Sequence, residues 1–187
     1  MDETMTVALI CAAGVAAFLL LRLKSKGRIL APKGWRIMWS RGVSLVKQGA
    51  GWSIAVTPGS SLHYVQNFGG RVPAIIRLRV EGSFTAPEFG LPATAGLLLQ
   101  RRGDNGSGVG KFEGYRYFSG LAIPLTEGEH VVQVPPLTVE HWGGVMGGRD
   151  PAALRAVLDD LESFGIVFGS ASGRGHGVTG TGRVTLL

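Results

Sequence analysis

The stretch AIIRLRVEG, residues 74–82, sets Ile76, Leu78 and Val80 at alternate positions with Arg77 and Arg79 between them. Successive side chains of a strand point to opposite faces, so this pattern describes a strand with one buried apolar face and one basic face in water. Its surroundings carry the same message. WSIAV (52–56) alternates and stops at the turn text TPGSS, and LHYV (62–65) ends at QNFGG. AGLLLQ (95–100) is a continuous apolar run, as expected of a strand covered on both sides. GYRYFS (114–119), HVVQV (130–134), FGIVFG (164–169) and GRVTLL (182–187) bring the series to about eight strands.

One helix interrupts them. In DPAALRAVLDDLESFG (150–165), Asp150 is placed as N-cap, Pro151 at the first helical position and Gly165 past the end, with Leu154, Leu158 and Leu161 as the apolar stripe. Short strands at this spacing with a single helix predict a mainly β chain, a jelly-roll β-sandwich with one short helix.

Composition agrees. The chain has 187 residues, 45% of them hydrophobic, with 30 glycines and nine prolines, which suits many tight turns and excludes global disorder. The one cysteine, Cys11, lies in an apolar run, so intramolecular disulfides and Cys-rich zinc sites are excluded.

That apolar run, residues 5–21, holds no charge and is followed by Arg22, Lys24, Lys26 and Arg28. As a helix it would rise about 26 Å, close to the hydrocarbon core of a bilayer, and flanking cations can snorkel to cover the difference. A cleaved secretory signal needs its basic region ahead of the apolar core. Here Asp2 and Glu3 precede it, and Ile10 before Cys11 argues against a lipoprotein site. The expectation is a single N-terminal transmembrane helix with its N-terminus outside and the C-terminal domain in the cytoplasm. The predicted organisation is an anchor with basic flank (1–28), a basic and aromatic linker (29–50) and a sandwich (51–187).

Charge is distributed to match. The net charge is +6, yet no acid occurs between Glu3 and Glu81, where eleven cations stand. Arg22, Lys24, Lys26 and Arg28 are thus candidate membrane-interface residues facing the lipid bilayer. Trp35 and Trp39 fit an interfacial aromatic belt, or equally the core of a first strand. Nucleic acid is not expected as a partner, because the cations flank an apolar run with no zinc spacing or RNP-like strand.

Catalytic text is missing. The loop RRGDNGSGVGK (101–111) departs from a Walker loop at Asn105 and Phe112, and it reads as a flexible hairpin; its Arg102-Gly103-Asp104 tripeptide is weak evidence of anything. No Gly-x-Ser-x-Gly elbow occurs, and His63, His130, His141 and His176 lack ligand spacing. Asp159 and Asp160 read as solvated. The chain is therefore expected to be no enzyme and to need no cofactor or metal.

In FGIVFGSASGRGHGVTGTGRVTLL (164–187), glycines flank His176, whose ring can tie the turn. Together with YRYF (115–118) and EHW (140–142), this text resembles the galactose-binding-like jelly rolls, which include intermediate-associated assembly proteins of respiratory complex I and related carbohydrate-binding modules. The matching residues are Ile166, Phe168-Gly169, Gly175-His176-Gly177-Val178 and the strand 184–187, with a departure at Ser170, where another glycine is common. The resemblance covers roughly residues 75–187 and implies a subunit that docks on integral membrane protein subunits of an electron-transport complex, respiratory or photosynthetic, and helps assemble or stabilise it. Candidate contacts are Arg101, Tyr115, Arg116, Tyr117, Trp142 and His176, with Trp35 and Trp39 as further hot spots. The alternative is a carbohydrate-binding module outside the cytoplasm, stacking a glycan on Trp142, Tyr115 or Tyr117 with Arg101 or Arg116 donating to hydroxyls.

Overall fold

The structure, a computed structural model, describes residues 34–49, 51–69, 71–87, 90–107 and 109–187. The expected anchor, with Arg22, Lys24, Lys26 and Arg28, lies outside the described residues. Among the described residues no helix is long and apolar enough to cross a membrane.

Two antiparallel sheets form a sandwich. Its strands are β1 (Trp35–Met38), β2 (Ser44–Gln48), β3 (Gly51–Val56), β4 (Tyr64–Phe68), β5 (Ile75–Thr85), β6 (Thr94–Arg101), β7 (Arg116–Ser119), β8 (Ile123–Pro124), β9 (Gly128–Gln133), β10 (Trp142–Gly144), β11 (Leu161–Gly169) and β12 (Thr179–Leu186). A 3₁₀ turn, Gly110–Tyr115, precedes β7, and helix α1, Pro151–Asp159, precedes β11. The seven-stranded sheet runs β1-β4-β11-β6-β7-β10 with β8 paired to β6; the five-stranded sheet runs β2-β3-β12-β5-β9.

Alternation builds the core. In the five-stranded sheet Val184 stands opposite Ile54 on one side and Val80 on the other. In the seven-stranded sheet Ile166 stands between Val65 and Leu97. All six are fully buried in one hydrophobic cluster between the sheets. Each such aliphatic contributes about 1.5–3 kcal/mol by leaving water, which is where the stability of this fold resides.

The expected strand of residues 74–82 is found in β5, with Ile76, Leu78 and Val80 buried and Arg77 and Arg79 exposed. The covered run 95–100 lies within β6, buried throughout. Several boundaries differ. LHYV (62–65) becomes an isolated bridge from Leu62 to Val178 followed by β4, and GYRYFS splits into the 3₁₀ turn and β7.

The sandwich also begins earlier than residue 51. β1 pairs with β4 and β2 with β3, so residues 35–48 supply an edge strand to each sheet where a linker was expected. Trp35, Ile37 and Leu45 pack on the core, and this apolar burial recruits the segment.

The helix needs a correction. Asp150 caps it as expected, its Oδ1 accepting from Ala152 N at 2.8 Å, with Pro151 at the first position. It ends at Asp159, because residues from Leu161 onward gain two pairing partners, β4 and β6, that a further helical turn would forfeit. The buried face is Leu154 and Val157, with Leu158 partly buried; Leu161 belongs to β11. Gly165 is therefore no helix terminator. It sits mid-strand, where a Cβ would press within 3.0 Å of Gln66.

Candidate functional site

The outer face of the seven-stranded sheet, turned away from the other sheet, is where polar chemistry collects. Tyr64, Leu98, Phe118 and Val167 form a second buried cluster there, with Met38 and Val145 packed against it. Cross-strand register sets Gln66 opposite Gly165, Gly165 opposite Leu98, and Leu98 opposite Phe118. Because Gly165 has no side chain, that of Gln66 lies over β11 and reaches a partner on β6: its Nε2 donates to Gln100 Oε1 at 2.6 Å. Ser163 Oγ donates to the same oxygen at 3.1 Å.

The chain of contacts continues. Gln100 Nε2 donates to Asp104 Oδ2 at 3.1 Å, and Gly106 N donates to Asp104 Oδ1 at 2.9 Å. Arg116 completes the row, its Nε donating to Oδ2 and its Nη2 to Oδ1 at 3.4 Å. The side chains of Asp104 and Arg116 are 0% and 5% exposed, so this is a buried ion pair stabilised by further hydrogen bonds to the carboxylate. Gln66 Oε1 remains a buried acceptor with no partner among the described residues.

Trp39 covers the row. Its ring meets Tyr64 edge-on at 4.9 Å and lies beneath the Arg116 guanidinium at 5.4 Å. Gly106 makes room for it, since a Cβ there would stand 2.8 Å from the indole. Trp39 has φ 49°, the one positive φ outside glycine among the described residues, and is still 47% exposed. A bulky side chain in the left-handed region costs on the order of 1 kcal/mol, which the contacts on the inner half of the ring offset. Burial raises the Tyr64 phenol above its ordinary pKa; the Arg116 charge opposes this and Asp104 adds to it.

The candidate contacts divide sharply. Trp142 and Tyr117 are core rings: the indole N–H donates to Pro136 O at 3.1 Å and the phenol to Asp150 O at 3.0 Å. Neither offers a face to a ligand or partner. Arg116 is spent on Asp104, and the expected flexible hairpin is pinned by that carboxylate, so the Arg102-Gly103-Asp104 tripeptide turns its acid inward. Arg101 stacks over Tyr115 at 4.9 Å and lies 3.6 Å from Asp160, while Tyr115 also meets Phe112 edge-on. Trp35 is partly buried in β1 against the core.

His176 is exposed, and a second imidazole holds the glycine-rich loop by its backbone. His63 Nδ1 donates to Gly175 O at 3.0 Å, leaving Nε2 to accept from Ser61 Oγ at 3.2 Å. Gly175 and Gly177, with φ of +85° and +87°, lie against Tyr64 and His63 respectively. Sequence reasoning missed Gln66, Gln100 and Ser163; the available signal was an amide ending the apolar run GLLLQ, which in a covered strand demands a partner. Among the described residues no three His, Cys, Asp or Glu side chains gather as a metal site.

Comparison with known proteins finds no family model that matches the chain, and no match among curated proteins or solved structures. The likeness to galactose-binding-like jelly rolls thus rests on the residues quoted for it.

Proposed function

We propose that this chain is a non-catalytic, membrane-anchored interaction subunit. Its sandwich, read more finely as a galactose-binding-like jelly roll, docks on integral membrane protein subunits from the cytoplasmic side of a bacterial inner membrane. There it stabilises or helps assemble a larger complex of the electron-transport kind. The repeated passage of the chain between sheets supports the jelly-roll reading, and the flanking charges of residues 5–21 support the anchor and its orientation.

One observation carries the docking role. Trp39 is a large, half-exposed ring packed against Tyr64 and Arg116 in the space that Gly106 leaves, in a backbone conformation that costs energy. Preorganised Trp and Arg residues are the usual centres of binding energy at protein interfaces, because little entropy is lost when they engage. A glycan reading has less to work with, since two of its three stacking rings are in the core.

The test is co-purification of the full chain from native membranes in mild detergent. Trp39→Ala is expected to lower recovery of integral membrane partners at least tenfold while the chain stays folded. Unchanged recovery, or a wild-type chain that runs alone, contradicts the proposal.

A further inference from the structure

Sheet register brings a particular set of cations to one end of the sandwich. β1 begins where β4 finishes, Trp35 opposite Asn67, and Phe68 N donates to Gly34 O at 3.1 Å. In the other sheet Lys47 stands opposite Trp52, Trp52 opposite Leu186, and Leu187 N donates to Arg77 O at 3.0 Å. The connection from β4 to β5, which carries Arg71, joins the two sheets at this same end. The described chain enters the sandwich here, at Gly34.

Arg36, Lys47, Arg71 and Arg77 are exposed at or near this end, Arg36 on the outer face of the seven-stranded sheet over the Phe68 ring and Arg77 on the outer face of the five-stranded sheet, and among the described residues none has an acidic partner within ion-pair distance. Arginines elsewhere divide: Arg79 pairs with Glu129, Arg116 with Asp104, Arg155 with Asp159, and Arg101 and Arg102 share Asp160, while Arg41, Arg149, Arg174 and Arg183 are dispersed and have no acid within that distance among the described residues. Glu162, whose carbonyl accepts from Gly69 N, and Asp160 are the acids nearby. Beside the cations, Ile75 is 48% exposed. The acid-free stretch between Glu3 and Glu81 thus delivers four cations to the end at which the chain arrives, while Arg41, tied to Gly59 O, lies at the opposite end.

We propose that this end is a docking surface for anionic phospholipid headgroups, with Arg36, Lys47, Arg71 and Arg77 seating the sandwich on the bilayer surface. Two observations select this occupant. Guanidinium and ammonium groups without protein counter-ions match headgroup phosphates in charge and donor geometry. Residues 1–33 join the described sandwich at Gly34 and contain the uncharged run 5–21 followed by more cations. The proposal rests on the reading of that run as an anchor.

The experiment is amide hydrogen exchange of the full chain in nanodiscs of phosphatidylcholine alone and of phosphatidylcholine mixed with phosphatidylglycerol. Exchange in residues 47–52 and 71–77 is expected to slow roughly fivefold or more with the anionic lipid. Arg36→Gln/Lys47→Gln/Arg71→Gln/Arg77→Gln erases that difference, and Arg41→Gln/Arg183→Gln leaves it intact. Should the fourfold variant lose its sheet signal in circular dichroism, Lys47→Gln/Arg71→Gln, on an edge strand and a connection, gives a partial loss in the same direction. Equal exchange in both lipids, or equal loss from Arg41→Gln/Arg183→Gln, overturns the surface. Failure of the chain to float with phosphatidylcholine vesicles overturns the anchor instead.

Discussion

The two outer faces of the sandwich are opposites. On the seven-stranded sheet, Tyr64, Gln66, Leu98, Phe118 and Val167 are buried although no second sheet lies over them. Trp39 and Val145, which lie outside the strands, pack onto this face, and the loop after β6 pins it through Asp104. On the five-stranded sheet, Ala55, Arg77, Arg79, Glu81 and Val131 are exposed to solvent, and the buried pair there, Ser53 and Thr185, is joined by one hydroxyl–hydroxyl bond of 3.2 Å. A face that the chain closes over itself has to pair most of the polar groups it buries, as it does here for all of the Gln66–Gln100–Asp104–Arg116 row but Gln66 Oε1, whereas an open face can leave that to water. The chain therefore concentrates its polar bonding on the first face and leaves the second replaceable.

The sharpest way to break this contrast is to cut an ion pair on each face. Asp104→Ala strands Arg116 in a buried site and is expected to cost about 3–5 kcal/mol, read from urea unfolding of the full chain in detergent. A loss under about 1 kcal/mol would mean that water reaches Arg116 and the face is open after all. Next in size is Gly175→Ala, which drives a Cβ against the Tyr64 phenol at a backbone φ of +85° and should cost about 2–4 kcal/mol. Adding Tyr64→Phe should recover part of this in a double-mutant cycle, and strict additivity would place the two residues out of contact.

Glu129→Ala, on the open face, removes a pair whose side chains are about half exposed and screened by water, and the urea midpoint should stay close to that of the wild type. The smallest effect is in alkali. Burial raises the folded phenols of Tyr64 and Tyr117, so their contribution is complete below the unfolded value near pH 10 and is lost as pH rises through the folded values. Tyr64→Phe should flatten the alkaline limb of the stability profile, and an unchanged limb would contradict the burial of that hydroxyl.

Legibility in the sequence followed the same division. β5, β6, β11 and β12 could be read because alternation or continuous apolarity within each strand reports burial directly. β1 was half legible, since Trp35 and Trp39 fitted the core of a first strand as well as an interfacial belt, and β2 was not, because WRIM and SLVKQ are short edge strands amid cations and the charge pattern suggested a linker. The closed face depends on pairs distant in sequence: Gln66 meets Gln100 34 residues on, and Ser163 meets Gln100 from 63 residues away. Gly165 read as a helix end, because nothing local distinguishes a cap from a glycine that lets a neighbour's side chain cross. Trp142 and Tyr117 drew attention as aromatics, yet their polar ends were satisfied by backbone carbonyls that the sequence does not reveal.

The most direct test is site-specific photocrosslinking in native membranes, with a photoreactive phenylalanine placed at Trp39 on the closed face or at Val131 on the open one. A docking role for the Trp39 face predicts crosslinks to an integral membrane protein from position 39 and none from position 131. Crosslinks from Val131 alone, or from neither position, would contradict it.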